Sequence, residues 1–237
     1  MPQHTVKKPS GVDIGLPMRR EPLCYLTEAE RIRLGRSCSV ATVGRGEQIF
    51  GNGEKADKLF LILEGQVKMT AEGVGGRAAI VAMATAMDTI GYRATLAGER
   101  HSTSAVAIDG AKLIVVPRAE AMAVLRENPE MAAYAMKKLA CELRASRQRG
   151  MALAQKQIRG RLADSLLTLR DKYGYCGNTR KMNIRVTREE LAQLSNMTTA
   201  NAIRTLSAFA DEGLVSVSGR EITITDEQGL ERTSQMG

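Results

Sequence analysis

Residues 186–226 have the sequence VTREELAQLSNMTTANAIRTLSAFADEGLVSVSGREITITD and carry the clearest structural signal in the chain. Thr187 stands directly before a helical pattern, and Glu190 follows three residues later, which is the spacing of a capping box. This pattern predicts a short helix over residues 188–195. Asn196 then falls at a tight turn that needs a left-handed backbone conformation, which asparagine tolerates better than most residues.

A second helix is predicted after this turn, with Thr198 as its N-cap and residues 199–211 as its body. Small and apolar side chains are spaced to pack the two helices together: Ala192, Leu194, Ala202 and Leu206. After Gly213, two strand patterns at 214–218 and 221–225 flank a hairpin turn. Two helices at a tight turn, followed by a hairpin, predict a winged helix-turn-helix.

A winged helix-turn-helix of this kind places the N-terminal turns of its second helix in the major groove of DNA. Arg204 lies on the predicted exposed face, where a guanidinium can bind O6 and N7 of guanine together; the alternative is a solvated surface cation. Asn201 can bind adenine or a phosphate. Ordinary surface charge is an alternative for the two outer arginines. The predicted DNA-contacting residues are Arg188, Thr198, Thr199, Ala200, Asn201, Arg204 and Arg220.

A long amphipathic helix is predicted before this domain, over residues 130–156, with Pro129 in its first turn. Its apolar positions alternate steps of four and three, which indicates pairing with a second copy of the helix. A stripe packed on the chain's own domain is the alternative. Two positions, Ser146 and Gly150, are weak for a seam, so we expect the helix to adjust there. The predicted seam consists of Ala132, Met136, Leu139, Leu143, Ser146, Gly150 and Leu153.

The N-terminal half has a different periodicity. Over residues 39–117, short runs rich in Val, Ile and Leu alternate with Gly, Asn and Asp, which predicts a small antiparallel barrel or sandwich. Thr27 begins a capping box and predicts a short helix, and residues 1–22 are predicted to be a mobile lead. We expect one domain over residues 23–157, ending in the long helix, and a DNA-binding domain over residues 158–237.

Composition narrows the function classes. The formal net charge of +8 and a pI near 9.5 favour a polyanionic partner. No segment approaches the roughly 20 apolar residues that span a bilayer, and no signal-peptide core is visible, so we expect a cytoplasmic protein without a membrane partner. Two histidines, with no nucleophile–base motif or metal-ligand set, predict neither a catalytic nor a metal site. Scattered cysteines disfavour zinc, iron–sulfur and disulfide scaffolds, and we expect buried reduced thiols at Cys24, Cys38, Cys141 and Cys176.

These features resemble the CRP/FNR family of bacterial transcription regulators. The resemblance covers about residues 39–225, and its most specific parts are GEQIF at 46–50, LFLILEGQVK at 59–68 and the helix-turn-helix. It implies an α+β fold with an N-terminal, jelly-roll-like antiparallel β-roll of the cyclic-nucleotide-binding type, a long dimerisation helix and a C-terminal winged helix-turn-helix. It also implies a homodimer on a pseudo-palindromic operator in double-stranded DNA, control by a ligand or redox signal in the roll, and contact with RNA polymerase in an activator.

The effector region departs from the pattern that the resemblance implies. Cyclic-AMP-responsive members carry a Gly-Glu-Leu-Gly turn, whose Glu binds the ribose, and a following Arg-Ser pair for the phosphate. Here residues 88–91 are Asp-Thr-Ile-Gly, and Thr89 cannot supply the charge-assisted acceptor of a carboxylate. The sequence therefore disfavours cyclic AMP and predicts a different, unidentified small-molecule effector. The predicted pocket residues are Thr89, Ile90, Gly91, Arg100, His101 and Ser102.

The sequence leaves alternatives open for His101, for the operator and for the role of the helix-turn-helix. His101 raises a haem hypothesis because imidazole is a common axial ligand, although an ordinary surface histidine in a polar loop is the favoured interpretation. In the recognition helix, the Arg and Glu that usually precede the residue matched by Arg204 are Thr199 and Ala200, so the family's usual operator is not expected. A second functional hypothesis keeps a cyclic-nucleotide-type binding module but gives the helix-turn-helix a role in protein interaction.

Overall fold

The computed structural model describes residues 5–7 (backbone only), 20–73, 76 and 78–236. They form two compact units. The first unit contains the described residues up to Leu143 except 78–80, and the second contains those from Arg144 onwards together with 78–80. The division thus falls inside the long helix and not at the predicted residue 157.

The first unit is built on an antiparallel sheet, as the sequence predicted. Its strands are β1 (Thr5–Lys7), β2 (Ser39–Val43), β3 (Gln48–Phe50), β4 (Lys58–Glu72), β5 (Ala78–Ala84), β6 (Thr89–Ile90) and β7 (Ser104–Pro117). The main path of neighbouring strands is β1-β2-β7-β4-β5, with β3 paired to β7 and β6 paired to β4. The jelly-roll-like arrangement follows from the two long strands β4 and β7, which pair from Lys58–Pro117 to Thr70–Ser104.

Side chains of the two long strands, β4 and β7, form much of the hydrophobic core of the β-roll. Ile62, Val67 and Leu113 are fully buried. Gly65 is required at the point of closest approach: its φ is +93°, and a Cβ atom there would lie 2.0 Å from the carbonyl oxygen of Gly110. A side chain at position 65 would therefore force β4 and β7 apart.

Among the residues that the structure describes, four α-helices begin in the first unit: α1 (Glu28–Ser37), α2 (Tyr92–Ala97), α3 (Arg118–Glu127) and α4 (Pro129–Gln155). The predicted capping box of α1 is confirmed, since the Thr27 side chain accepts from the amide of Glu30 and the Glu30 carboxylate accepts from the amide of Thr27. The first half of α4 belongs to this unit because its side chains contact it; the ring centroids of Tyr134 and Tyr25 are 5.2 Å apart.

The structure corrects two expectations for this unit. The predicted run of strands is interrupted by α2, whose N-cap Gly91 makes no side-chain capping bond and left no signal in the sequence. Within the predicted mobile lead of residues 1–22, Thr5–Lys7 form a strand, because these residues pair with Val40–Thr42 as β1. Residues 1–4 and 8–19 lie outside the described residues.

The second unit contains the end of α4 and the predicted helix-turn-helix. Its elements are α5 (Ile158–Tyr173), α6 (Arg188–Leu194), α7 (Thr199–Asp211), β8 (Val215–Ser218), β9 (Glu221–Ile224) and α8 (Glu227–Met236). The last helix was not predicted. Its Leu230 is fully buried, as are Leu166, Phe209 and Ile222 from the neighbouring elements. The unit therefore has a hydrophobic core of its own.

A polar cluster fastens the segment between α4 and α5. Lys156 donates from Nζ to Asp164 Oδ1 at 2.8 Å and to Ser234 Oγ at 3.2 Å. The Ser234 hydroxyl also donates to the Asp164 carboxylate. Lys156 thus joins the first turns of α5 to the last turns of α8.

In the described part of the chain, no helix combines the length and apolar character needed to cross a membrane. The expectation of four buried thiols is confirmed only in part. Cys38 is buried, which raises its pKa to about 12, and Cys176 is half-buried, whereas Cys24 and Cys141 are exposed.

Candidate nucleic-acid interface

The helix-turn-helix is held by the local hydrogen bonds that the sequence predicted. Thr187 accepts at Oγ1 from the amide of Glu190 at 3.1 Å, and the amide of Thr187 donates to the Glu190 carboxylate at 2.9 Å. Asn196 has a φ of +49°, as expected for the turn. The Thr198 side chain accepts from the amide of Asn201 at 3.3 Å and caps α7. Local chemistry therefore fixes where α7 begins.

One face of α7 anchors it in the domain. Ala202, Thr205, Leu206 and Phe209 are buried, and Phe209 is fully inaccessible. The first turn and the opposite face are different: Thr199, Ala200, Ile203, Arg204 and Ser207 are exposed. Because the buried face anchors α7 in the domain, it determines which residues of the helix face outwards.

Arg204 and Asn201 are neighbours on this exposed side. Arg204 donates from Nη2 to Oδ1 of Asn201 at 2.6 Å, one helical turn towards the N-terminus. The same Asn201 supplies the amide that bonds to Thr198. Hydrogen bonds thus link the side chain of Thr198, both amides of Asn201 and the guanidinium of Arg204 at the start of α7.

In the part of the chain that the structure describes, the arginines predicted to contact DNA are not neutralised by neighbouring carboxylates. Within the described residues, none of Arg188, Arg204 and Arg220 has a carboxylate within ion-pair distance. Several other cations do: Lys156, Arg159, Arg170, Lys181, Arg185 and Arg232. An unpaired cation keeps its full charge for a phosphate or a base. The unpaired charge of these three arginines suits a polyanion-binding surface.

The wing is a β8–β9 hairpin that turns at Gly219, which has a φ of +58°. Arg220 is exposed at its tip. Next to it, Glu221 accepts from Arg185 at 2.9 Å and from Lys181 at 3.3 Å. These two cations lower the pKa of Glu221, so its carboxylate stays charged and is already paired. The wing tip therefore presents a cation and not an anion.

Six of the seven predicted DNA-contacting residues lie at or near the starts of α6 and α7, and Arg220 lies at the wing tip. Ile203 was missed. It is 46% exposed beside Arg204. The sequence held one signal for it, an apolar residue outside the buried spacing of α7.

The predicted seam of α4 is exposed. No residue of α4 is buried. Met136 is 64% exposed, Leu143 54% and Leu153 44%. The alternative in which this stripe packs on the chain's own domain is therefore wrong for these side chains. Both Ser146 and Gly150 are also exposed.

Four of the six predicted effector-pocket residues line one cleft: Ile90, Gly91, His101 and Ser102. The remaining two do not line it. Thr89 lies on β6, and Arg100 is exposed and donates to the Gly53 carbonyl at 2.8 Å.

His101 is not the surface residue that the sequence favoured. It is 5% exposed and stacks on Phe50 with ring centroids 3.9 Å apart. Burial lowers its pKa, although Glu54 and Asp57 act in the opposite direction. A neutral imidazole therefore fills part of the cleft in the folded protein.

A charged pair that was not predicted lies at the rim of this cleft. Arg93 of α2 and Glu142 of α4 both line it, and Arg93 Nε lies 3.8 Å from the Glu142 carboxylate. Tyr92 lies beside them, and burial and the Glu142 carboxylate raise its pKa. Residues of the sheet, of α2 and of α4 thus line the same cleft. No group of three or more potential metal ligands is found among the residues that the structure describes.

Two family models match the N-terminal and the C-terminal part of the chain separately. The model of the cyclic nucleotide-binding domain matches residues 40–128, and the model of the Crp-like helix-turn-helix domain matches residues 160–233.

Similar proteins are transcription regulators. The CRP-like cAMP-activated global transcriptional regulator of Mycobacterium tuberculosis is 26% identical over 192 residues, which cover 81% of this chain and 86% of that protein. The nitrogen fixation regulation protein FixK of Azorhizobium caulinodans is 25% identical over 195 residues, 81% of this chain and 77% of its own. The structure of FixK2 from Bradyrhizobium japonicum has the same fold, with a TM-score of 0.75 and 22% identity over 83% of this chain and 96% of that one.

Proposed function

The chain belongs to the CRP/FNR family of transcription regulators, and we propose that it works as a homodimeric, sequence-specific DNA-binding regulator whose β-roll responds to a small molecule other than cyclic AMP. The observation that carries the DNA-binding part is the exposed side of α7. There an unpaired Arg204 stands beside a capped helix N-terminus. This combination suits guanine and phosphate recognition.

The DNA contacts divide into two kinds. Arg204 and Asn201 face base edges, whereas Arg188 and Arg220 neutralise phosphates. The amides of Thr199 and Ala200, at the positive end of α7, suit a further phosphate. Each protomer of the dimer then covers one half-site, and the half-sites are about one helical turn apart, on the order of 34 Å.

The dimer is supported by the exposed stripe on α4. Met136, Leu139, Leu143 and Leu153 repeat at heptad spacing and are all at least 36% exposed. A second copy of α4 would bury them, as in a parallel coiled coil.

The proposed effector site is the cleft beside the Phe50–His101 stack. Cyclic AMP is disfavoured because Thr89 offers no carboxylate and does not line the cleft. Arg93 at the rim suits an anionic group on a ligand. Such a group would compete with Glu142 for Arg93, and Glu142 belongs to α4. We therefore place the link from effector to dimer helix at this pair.

The alternative, a helix-turn-helix used for protein interaction, is not favoured. Both curated relatives are named as transcription regulators, and the free cations around α7 match a polyanion. If the protein activates transcription, RNA polymerase is the expected further partner.

Selection of bound sequences from a random duplex pool, with and without cell extract, tests the proposal. We expect enrichment of a pseudo-palindrome. Affinity for it should fall linearly in a plot of log K against log salt, because phosphate contacts release counterions. In the Arg188→Ala and Arg220→Ala dimers, each slope should become shallower by about two contacts, one for each protomer. Arg232→Ala, which changes an exposed arginine on α8, is the control. Absence of enrichment at low salt would overturn the proposal.

A further inference from the structure

Ile203 is an unusual residue for its place in the fold. Among the residues that the structure describes, the other large apolar side chains that are markedly exposed lie in α1, in α4 and at the end of α8. Ile203 alone lies in the helix-turn-helix, where it is 46% exposed. It stands between Ala202, which is buried, and Arg204, which is exposed.

Packing within the domain does not account for this isoleucine. The side of α7 that contacts the core consists of Ala202, Thr205, Leu206 and Phe209. A β-branched residue is also a weaker helix former than alanine, because its side chain loses rotamer freedom against the preceding turn. Ile203 thus leaves nearly half of its surface outside the core, at a position where alanine would favour the helix more.

The surroundings of Ile203 restrict what can cover it. Arg204 is its neighbour, Ala200 lies one turn earlier on the same side, and Arg188 and Arg220 add unpaired positive charge to the domain. A partner must therefore present an apolar group within a strongly anionic surface. The major groove of DNA does so at one chemical group, the 5-methyl of a pyrimidine.

We propose that Ile203 is a specificity-determining residue that packs on a pyrimidine 5-methyl group in each half-site. This inference rests on the proposed DNA-binding function. Thymine carries that methyl group in ordinary DNA, and 5-methylcytosine carries the same group. Because Ile203 and Arg204 are consecutive and only about 1.5 Å apart along the helix axis, the methylated base lies next to or near the guanine bound by Arg204.

The test uses the operator obtained from the random pool and replaces each thymine of a half-site, one position at a time, by deoxyuridine. This change removes only the methyl group. At one position in each half-site, we expect the affinity of the wild-type dimer to fall by about fourfold when one half-site is changed and by about 15-fold when both are changed, since burial of a methyl group is worth on the order of 0.8 kcal/mol. At the same position, 5-methylcytosine should bind more tightly than cytosine by a similar factor if the contact is to the methyl group alone.

Variants assign the effect to the side chain. Ile203→Ser should bind the thymine and deoxyuridine operators equally, whereas Ile203→Val should still prefer thymine. Ile32→Ser, which changes an isoleucine of similar exposure on α1, is the matched control and should discriminate like the wild type.

Different outcomes contradict the role of Ile203 and the proposed DNA-binding function. Equal affinity of the wild type for thymine and deoxyuridine at every position, together with intact salt-dependent binding of the operator, would overturn the role of Ile203 and leave the DNA-binding function standing. A preference for thymine that persists in Ile203→Ser would also overturn it. Loss of all operator binding by the wild type would instead overturn the proposed function.

Discussion

Arg204 and Asn201 are joined by a 2.6 Å hydrogen bond from the guanidinium to the amide oxygen. Asn201 is itself held by the N-cap of α7, because its backbone amide donates to Thr198. The guanidinium therefore has fewer conformations to lose when it binds a base than a free arginine would have. This relationship makes Arg204 the most informative position for mutation.

Substitution Arg204→Ala should weaken binding of the selected operator by about 1–3 kcal/mol per half-site and relax the preference at a single guanine position. The loss arises because no other side chain replaces the bidentate contact to O6 and N7. Competition binding with operators changed at each position measures both effects. Arg232→Ala serves as the control, and a uniform loss over all sequences would show that Arg204 contacts only phosphate.

The turn between α6 and α7 should tolerate glycine but not a β-branched residue. Asn196 has a left-handed backbone, which costs most L-residues roughly 1–2 kcal/mol. We expect Asn196→Val to lower the free energy of unfolding by about that amount and Asn196→Gly to change it little. Urea denaturation checks this. Equal destabilisation by both variants would indicate that the asparagine side chain, and not the backbone conformation, is what matters.

His101 should make stability depend on pH. Burial lowers its folded pKa below the usual 6.5. As pH falls below 6.5, the unfolded chain takes up a proton that the folded protein does not, so the free energy of unfolding decreases until the folded pKa is reached. For one group the slope is at most about 1.4 kcal/mol per pH unit. Above 6.5 the imidazole is neutral in both states and contributes no slope.

Denaturation series at pH 5.0 to 8.0 on the wild type and on His101→Gln measure this contribution. The variant should lose stability overall, because the Phe50 stack is removed, but its curve should be flatter below pH 6.5. Parallel curves for the two proteins would contradict the assignment.

The α4 seam predicts that Ser146→Leu combined with Gly150→Leu strengthens the dimer. A Cβ atom at Gly150 meets no atom within 4 Å, so a side chain is accommodated there. Removal of the glycine favours the helix by about 0.8–1 kcal/mol, and two leucines add apolar surface to the seam. Sedimentation should show a lower dissociation constant, and DNA binding should depend less on effector. Gln148→Leu, which lies off the seam, is the control; an equal gain there would count against heptad pairing.

The parts of the molecule that the sequence predicted are those set by local chemistry. The caps at Thr187 and Thr198 and the turn at Asn196 each depend on groups within a few residues. The spacing of these residues in the sequence was therefore sufficient to predict them. The bounds of α7 were predicted for the same reason.

The remainder depended on contacts between distant residues. His101 is buried because Phe50 stacks on it from a different strand. Arg93 and Glu142 meet only because α2 packs near α4. The helix α2 has no capping side chain that could have marked its start. No periodicity within a short window contains this information.

The contacts of Lys156 constrain where the chain can bend. Lys156 comes directly after α4, yet its ammonium group is bound to α5 and α8. The connection that leaves α4 is consequently held to α5 and α8 by hydrogen bonds. We therefore expect any change in the twist of α4 to occur before Lys156, at Gly150. This residue has no side chain, and a Cβ atom there would meet no atom within 4 Å.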